Sequence, residues 1–121
     1  MKHFAQISTD GIALLLALFI LALSLLPNTT GAGGLQHDTI FHILAYAILT
    51  CAATLSRRKI RGYLLVLIAI TVFSGMIEFI QPFFGRTGDL RDLVANIVGG
   101  IVGLTMTMTL KGAAKLFRIN L

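Results

Sequence analysis

The residues with the most chemical content are acidic, and they cluster. The chain has five Asp and Glu residues. Asp10 stands alone, whereas Asp38, Glu78, Asp89 and Asp92 all fall at the ends of apolar segments, in company with His42, Gln81, Arg86 and Asn96. Asp38 and His42 are four apart, Glu78 and Gln81 three, Asp92 and Asn96 four, with Asp89 three before Asp92. On helices each of these spacings puts both members on one face. Carboxylates, an imidazole, a guanidinium and two amides suit acid–base chemistry. His42 or Glu78 would serve as base with Asp92 alongside, and Asp38, Gln81, Arg86, Asp89 and Asn96 would bind a substrate or headgroup. Arg86 is the group suited to a phosphate or carboxylate. His42 with Asp38, Glu78 or Asp92 would also suit a metal ion, but no H-E-x-x-H or C-x-x-C spacing is present and no metal is assigned. The sequence specifies no cofactor. A Ser-His-Asp mechanism is disfavoured, because Thr39 and Thr87 are the only hydroxyls near the cluster.

These groups must be positioned by something, and the composition says what. Of 121 residues 56% are hydrophobic and only 12% charged, with a mean hydropathy of +0.89. Soluble domains carry about 25% charged residues, so lipid is the expected solvent. Four segments approach the roughly 20 apolar residues of a spanning helix: about 11–26, 38–55, 62–81 and 90–110. Pro27 and Pro82 stop the first and third. Period-two alternation is absent, and only helices and closed barrels satisfy their backbone in lipid. The expectation is a single all-α domain, an integral membrane bundle of four transmembrane helices. The first is read as a retained span rather than a cleaved signal, because Asp10 interrupts its basic flank.

Basic residues set the orientation. Lys2, Arg57, Arg58, Lys59, Arg61, Lys111, Lys115 and Arg118 fall on one side of a four-span chain, and Arg86 and Arg91 on the other, eight against two of the ten Lys and Arg. Positive residues collect in the cytoplasm, so both termini are expected there, in the plasma (inner) membrane, with the polar cluster at the outer face. The net charge of +5 then meets anionic headgroups rather than nucleic acid, since no basic stretch is interleaved with aromatics. Counting along the helices, His42 and Asn96 each lie fifteen residues from Arg57 and Lys111, and Glu78 seventeen from Arg61. At 1.5 Å per residue these groups share a height about 22–26 Å above the inner anchors. Asp38 and Asp92 lie one turn further out.

Other residues read as structural. Gly99 and Gly103 form a small-x-x-x-small pair that allows close helix packing and could also serve an oligomer. Cys51 and the methionines read as packing residues. The Asn28-Thr29-Thr30 sequon matters only in a eukaryotic secretory chain. Within the cluster, Asp89 and Asp92 also suit the N-cap and first turn of a helix, and Arg86 could neutralise Asp92 or Glu78.

The segments His37-Asp38-Thr39-Ile40-Phe41-His42, Glu78-Phe79-Ile80-Gln81 and Gly85-Arg86-Thr87-Gly88-Asp89-Leu90-Arg91-Asp92 through Asn96 and Gly99 resemble the VanZ-like membrane proteins. That pattern reads D-K-x-x-H, E-x-x-Q, then G-R-x-x-D-x-x-D-x-x-x-N-x-x-G; Thr39 stands where the family has Lys. The resemblance implies an association with glycopeptide resistance of the teicoplanin kind, through a biochemical activity that is not settled. Three functions are open at this point. The first is recognition or modification of a lipid-linked or cell-wall molecule at the outer leaflet. The second is a structural or partner-binding bundle, and the third a small transporter. Reporter fusions after Arg58 and Leu121 should read cytoplasmic, and fusions after Gly33 and Gly85 external. A periplasmic signal after Arg58 would overturn the orientation.

Overall fold

The computed structural model describes residues 2–26 and 35–119, with side chains over 9–26 and 39–119. Among these, all regular structure is helical: α1 (Lys2–Leu25), α2 (Leu35–Leu55), α3 (Ile60–Ile80), a 3-10 turn (Gln81–Phe84) and α4 (Leu90–Leu116). The expected segments are all present, but α1, α2 and α4 run past their apolar limits. Backbone hydrogen bonding does not end where hydrophobicity ends, so each helix continues through polar residues that hydropathy alone assigns to loops. Pro82 acts as expected. It has no N–H to give, the α-helix ends at Ile80, and the chain tightens into the 3-10 turn before Gly85 reverses it at φ 76°. The Pro27 stop and the sequon lie outside the described residues.

The outer surface is apolar. Phe19, Leu65 and Phe83 are 61%, 66% and 78% exposed. Two helical stretches, Ile60–Phe84 and Leu90–Leu116, are long and apolar enough to cross a membrane. Only 22% and 33% of their apolar windows is buried, whereas a core helix of a soluble protein would be mostly covered. The apolar stretches Thr9–Leu25 and Thr39–Leu55 are shorter.

The most intimate contact is between α2 and α4. A Cβ built on Gly99 would lie 2.5 Å from the Ile43 carbonyl oxygen and 3.0 Å from Tyr46 Cβ, and one on Gly103 would press into the Ala47 carbonyl and lie 2.8 Å from Thr50 Cβ. The small pair therefore serves a contact inside the chain. Paired residues keep a nearly constant offset along this seam: His42 meets Asn96 and Thr54 meets Thr107, 54 and 53 positions apart. A nearly constant offset means that α2 and α4 run parallel. Thr54 Oγ1 and Thr107 Oγ1 share a buried 2.7 Å hydrogen bond, and each also lies within hydrogen-bond distance of a carbonyl of its own helix, so one hydroxyl donates across the seam and the other within its helix. Polar side chains thus adhere across the seam, while Thr50 Oγ1 beside it is buried without a hydrogen-bond partner among the described residues.

At the end of the bundle where α2 stops, basic side chains form a clasp. Lys111 Nζ on α4 donates to the carbonyls of Thr54 and Arg57 and, at 3.0 Å, to Tyr63 Oη. Tyr63 in turn donates to the Arg57 carbonyl at 2.8 Å. Arg57 Nη2 reaches Asp10 on α1 at 2.7 Å. A lysine ammonium at the terminal carbonyls of α2 satisfies groups that have no intrahelical partner and complements the negative end of the helix dipole.

Gly99→Leu and Gly103→Leu should each lower the melting temperature in detergent, by an amount corresponding to about 1–3 kcal/mol or more, because a side chain would meet backbone that cannot yield. Gly112→Leu, with nothing within 4 Å of its Cβ position, is the matched control and should change stability little.

Candidate functional site

At the opposite end the seam opens into the polar cluster. His42 Nδ1 donates to Asn96 Oδ1 at 2.8 Å, and Asn96 Nδ2 donates to Ser74 Oγ at 2.7 Å. One chain of bonds therefore joins α2, α4 and α3. Asn96 and Ser74 are fully buried. With the amide placed this way His42 Nδ1 is the donor, and Nε2 lies 3.6 Å from Asp92 Oδ2.

Glu78 is held by the start of α4. Asp89 caps that helix, accepting from the Arg91 N–H at 2.9 Å, and donates its own N–H to Glu78 Oε2 at 2.9 Å. The turn can come this close because residue 88 is glycine: a Cβ there would lie 2.5 Å from the Glu78 carbonyl oxygen. Glu78 is near enough to Asp92, His42 and Arg86 to interact electrostatically with all three. Its Oε1 is buried without a hydrogen-bond partner among the described residues.

The structure thus brings together His42, Glu78, Asp89, Asp92 and Asn96. Two expected members go elsewhere. Gln81 is buried, with Nε2 on the Ser24 carbonyl of α1 at 3.2 Å and Oε1 unpartnered among the described residues. Arg86 Nη1 donates to Ser24 O at 3.1 Å, with Leu23 O and Leu26 O at 3.4 and 3.5 Å. Arg86 thus makes no direct ion pair with Glu78 or Asp92 among the described residues but acts on Glu78 electrostatically, while its Nη1 serves the carbonyls that end α1, which need donors. The Asp38 side chain lies outside the described residues, on a backbone that is helical. Among the described residues no three His, Cys, Asp or Glu side chains converge as a metal site requires.

Sequence reasoning missed Ser74, Tyr46 and Ser24. Ser74 lies four before Glu78 on the same face of α3, and Tyr46 four after His42 on α2; extending each polar stripe by one turn would have found both. Ser24 contributes only a carbonyl, which leaves no signal in side-chain chemistry. Beside the cluster, α1 and α2 diverge into a groove of about 620 Å³. Leu16, Phe19, Ile20 and Leu23 wall one side and Phe41, Leu44, Ala45 and Ile48 the other, with His42, Ser24 and Arg86 also lining it.

An all-helical bundle with an apolar exterior and ionisable groups gathered at its two ends defines a helical membrane protein. Residues 5–111 match the profile of the VanZ/LLP1 family, and the chain belongs to that family. Comparison with curated proteins and with solved structures gives no significant match in either.

Ser74→Ala should remove the acceptor for the Asn96 amide and destabilise the bundle by about 1–3 kcal/mol, the cost of leaving a buried donor unpaired. Thr71→Ala, whose exposed hydroxyl bonds only within its own helix, should leave the melting temperature nearly unchanged.

Proposed function

We propose that this VanZ-like protein is a four-span envelope protein of the plasma membrane, with both termini cytoplasmic, that recognises or modifies a lipid-linked or cell-wall-related molecule at its outer-face polar site. The parallel register of α2 and α4 supports the four-span reading, since alternate spans of a multi-pass chain cross in the same direction. The observation that carries the functional reading is the His42–Asp92 contact, backed by Asn96 and Ser74 and flanked by Glu78, whose buried Oε1 has no hydrogen-bond partner among the described residues. Ionisable groups in a membrane segment are costly and normally mark function. A simple anchor would be cheaper to build from leucine. In this reading His42 Nε2 and Asp92 hold or move a proton, Glu78 accepts from a ligand hydroxyl or amine, and Arg86 takes an anionic group. Association with glycopeptide resistance comes from the family resemblance and concerns the same outer-leaflet chemistry.

A second reading has its own support. Asn96 and Ser74 are closed to solvent, and Gln81 and Arg86 bond to α1, which is what a purely architectural cluster would show.

Glu78→Gln and His42→Asn separate the two. Both keep shape and most hydrogen-bonding capacity but lose charge or basicity. If the site acts on a ligand, each should abolish the antibiotic or envelope phenotype while melting temperature and expression stay near wild type. If the cluster is architecture, stability and phenotype should fall together. Full activity in both well-folded variants would sink the functional reading.

A further inference from the structure

The groove between α1 and α2 is not explained by packing, and it is continuous with the cluster. Its walls are apolar and open sideways: Phe41 is 66% and Leu44 52% exposed. From Leu16 to Ser24 it runs eight residues along α1, about 12 Å at 1.5 Å per residue, less than half of a ~30 Å hydrocarbon core. Its volume of about 620 Å³ falls in the range of single-ligand sites. At its polar end stands Arg86. One guanidinium nitrogen, Nη1, is given to the carbonyls of α1. Nε and Nη2 make no hydrogen bond among the described residues, and no acidic residue described lines the groove. Glu78 Oε2 and Asp89 are engaged with the start of α4 and Asp92 faces His42; Glu78 acts on Arg86 electrostatically, without a direct ion pair among the described residues. The groove therefore offers an apolar slot opening sideways, headed by a cation whose remaining donors form a fork suited to a phosphate.

We propose that this groove binds a phosphate-headed amphiphile, one hydrocarbon chain lying between α1 and α2 and the phosphate at Arg86, beside His42. The proposal rests on the outer-face site described above and names the class of its ligand. The chain enters laterally from the bilayer, and the groove presents its head to the imidazole.

The test uses dodecyl phosphate carrying a diazirine near the chain terminus. The full-length protein is placed in phosphatidylcholine nanodiscs, irradiated with the probe, and the adducts are mapped by mass spectrometry. Adducts should concentrate on the groove walls, around Leu16–Ile20 and Leu44–Ile48. Unlabelled dodecyl phosphate should compete, whereas dodecyltrimethylammonium and inorganic phosphate should not. Arg86→Gln should lower capture by about tenfold or more, the effect of losing a charge-assisted hydrogen bond, and Arg86→Lys by less. Because Arg86 also caps α1, Ala45→Phe provides the second variant. It narrows the groove and leaves Arg86 in place, so it should abolish capture with the melting temperature unchanged. Adducts scattered over the exposed faces of α3 and α4, full capture in folded Ala45→Phe, or equal competition by inorganic phosphate would each overturn the proposal. Groove labelling together with full phenotype in His42→Asn and Glu78→Gln would retain the lipid site and reject the proposed function. Scattered adducts with loss of phenotype in those variants would do the reverse.

Discussion

The contact of α2 with α4 at Gly99 and Gly103 is the constraint on which the rest of the molecule depends. In lipid, apolar side chains gain little by leaving one hydrocarbon environment for another, so helices associate through close packing and hydrogen bonds. Two glycines bring the α4 backbone against the carbonyls of Ile43 and Ala47. At that separation short side chains can bridge the helices. Thr54 and Thr107 bond directly, and one turn beyond the glycines in the other direction His42 reaches Asn96. A wider seam would break both contacts together. The register that aligns the threonines also aligns the imidazole with its amide, so the geometry of the site is a consequence of helix packing.

The two ends of this seam use polar groups differently. Where α2 stops, Lys111, Tyr63 and Arg57 act on terminal carbonyls and on Asp10, and the result is a clasp joining all four helices. At the other end the cluster is only partly closed. Asn96 and Ser74 are saturated, whereas His42 and Arg86 line a groove and Glu78 Oε1 has no partner among the described residues. One end is thus clasped across all four helices, whereas at the other the polar groups border a groove.

Much of this was legible in the residues. Charge depletion, four apolar runs and the two prolines predict an all-helical chain and its order of elements, because hydropathy and backbone stereochemistry are local. The shared height of His42, Asn96 and Glu78 followed from counting along helices of known rise, and the structure joins His42 to Asn96 directly. The N-cap role of Asp89 was equally local, a short polar side chain before an apolar run.

Other features depend on which helix lies beside which. Arg86 was read as a partner for Glu78 or Asp92; its Nη1 bonds to the terminal carbonyls of α1, and its charge acts on Glu78 without a direct ion pair among the described residues. Gln81 is drawn to the same carbonyl. Ser74 becomes the anchor of the Asn96 amide only because α3 packs against α4 at that level. The groove exists because α1 and α2 diverge, which no spacing within either helix encodes. The sequence by itself determined the solvent, the helices and the inventory of reactive groups, since these follow from side-chain transfer energies and local geometry. Only the tertiary structure decided which donors meet which acceptors, because that depends on distances between helices, set along the α2–α4 seam by Gly99 and Gly103.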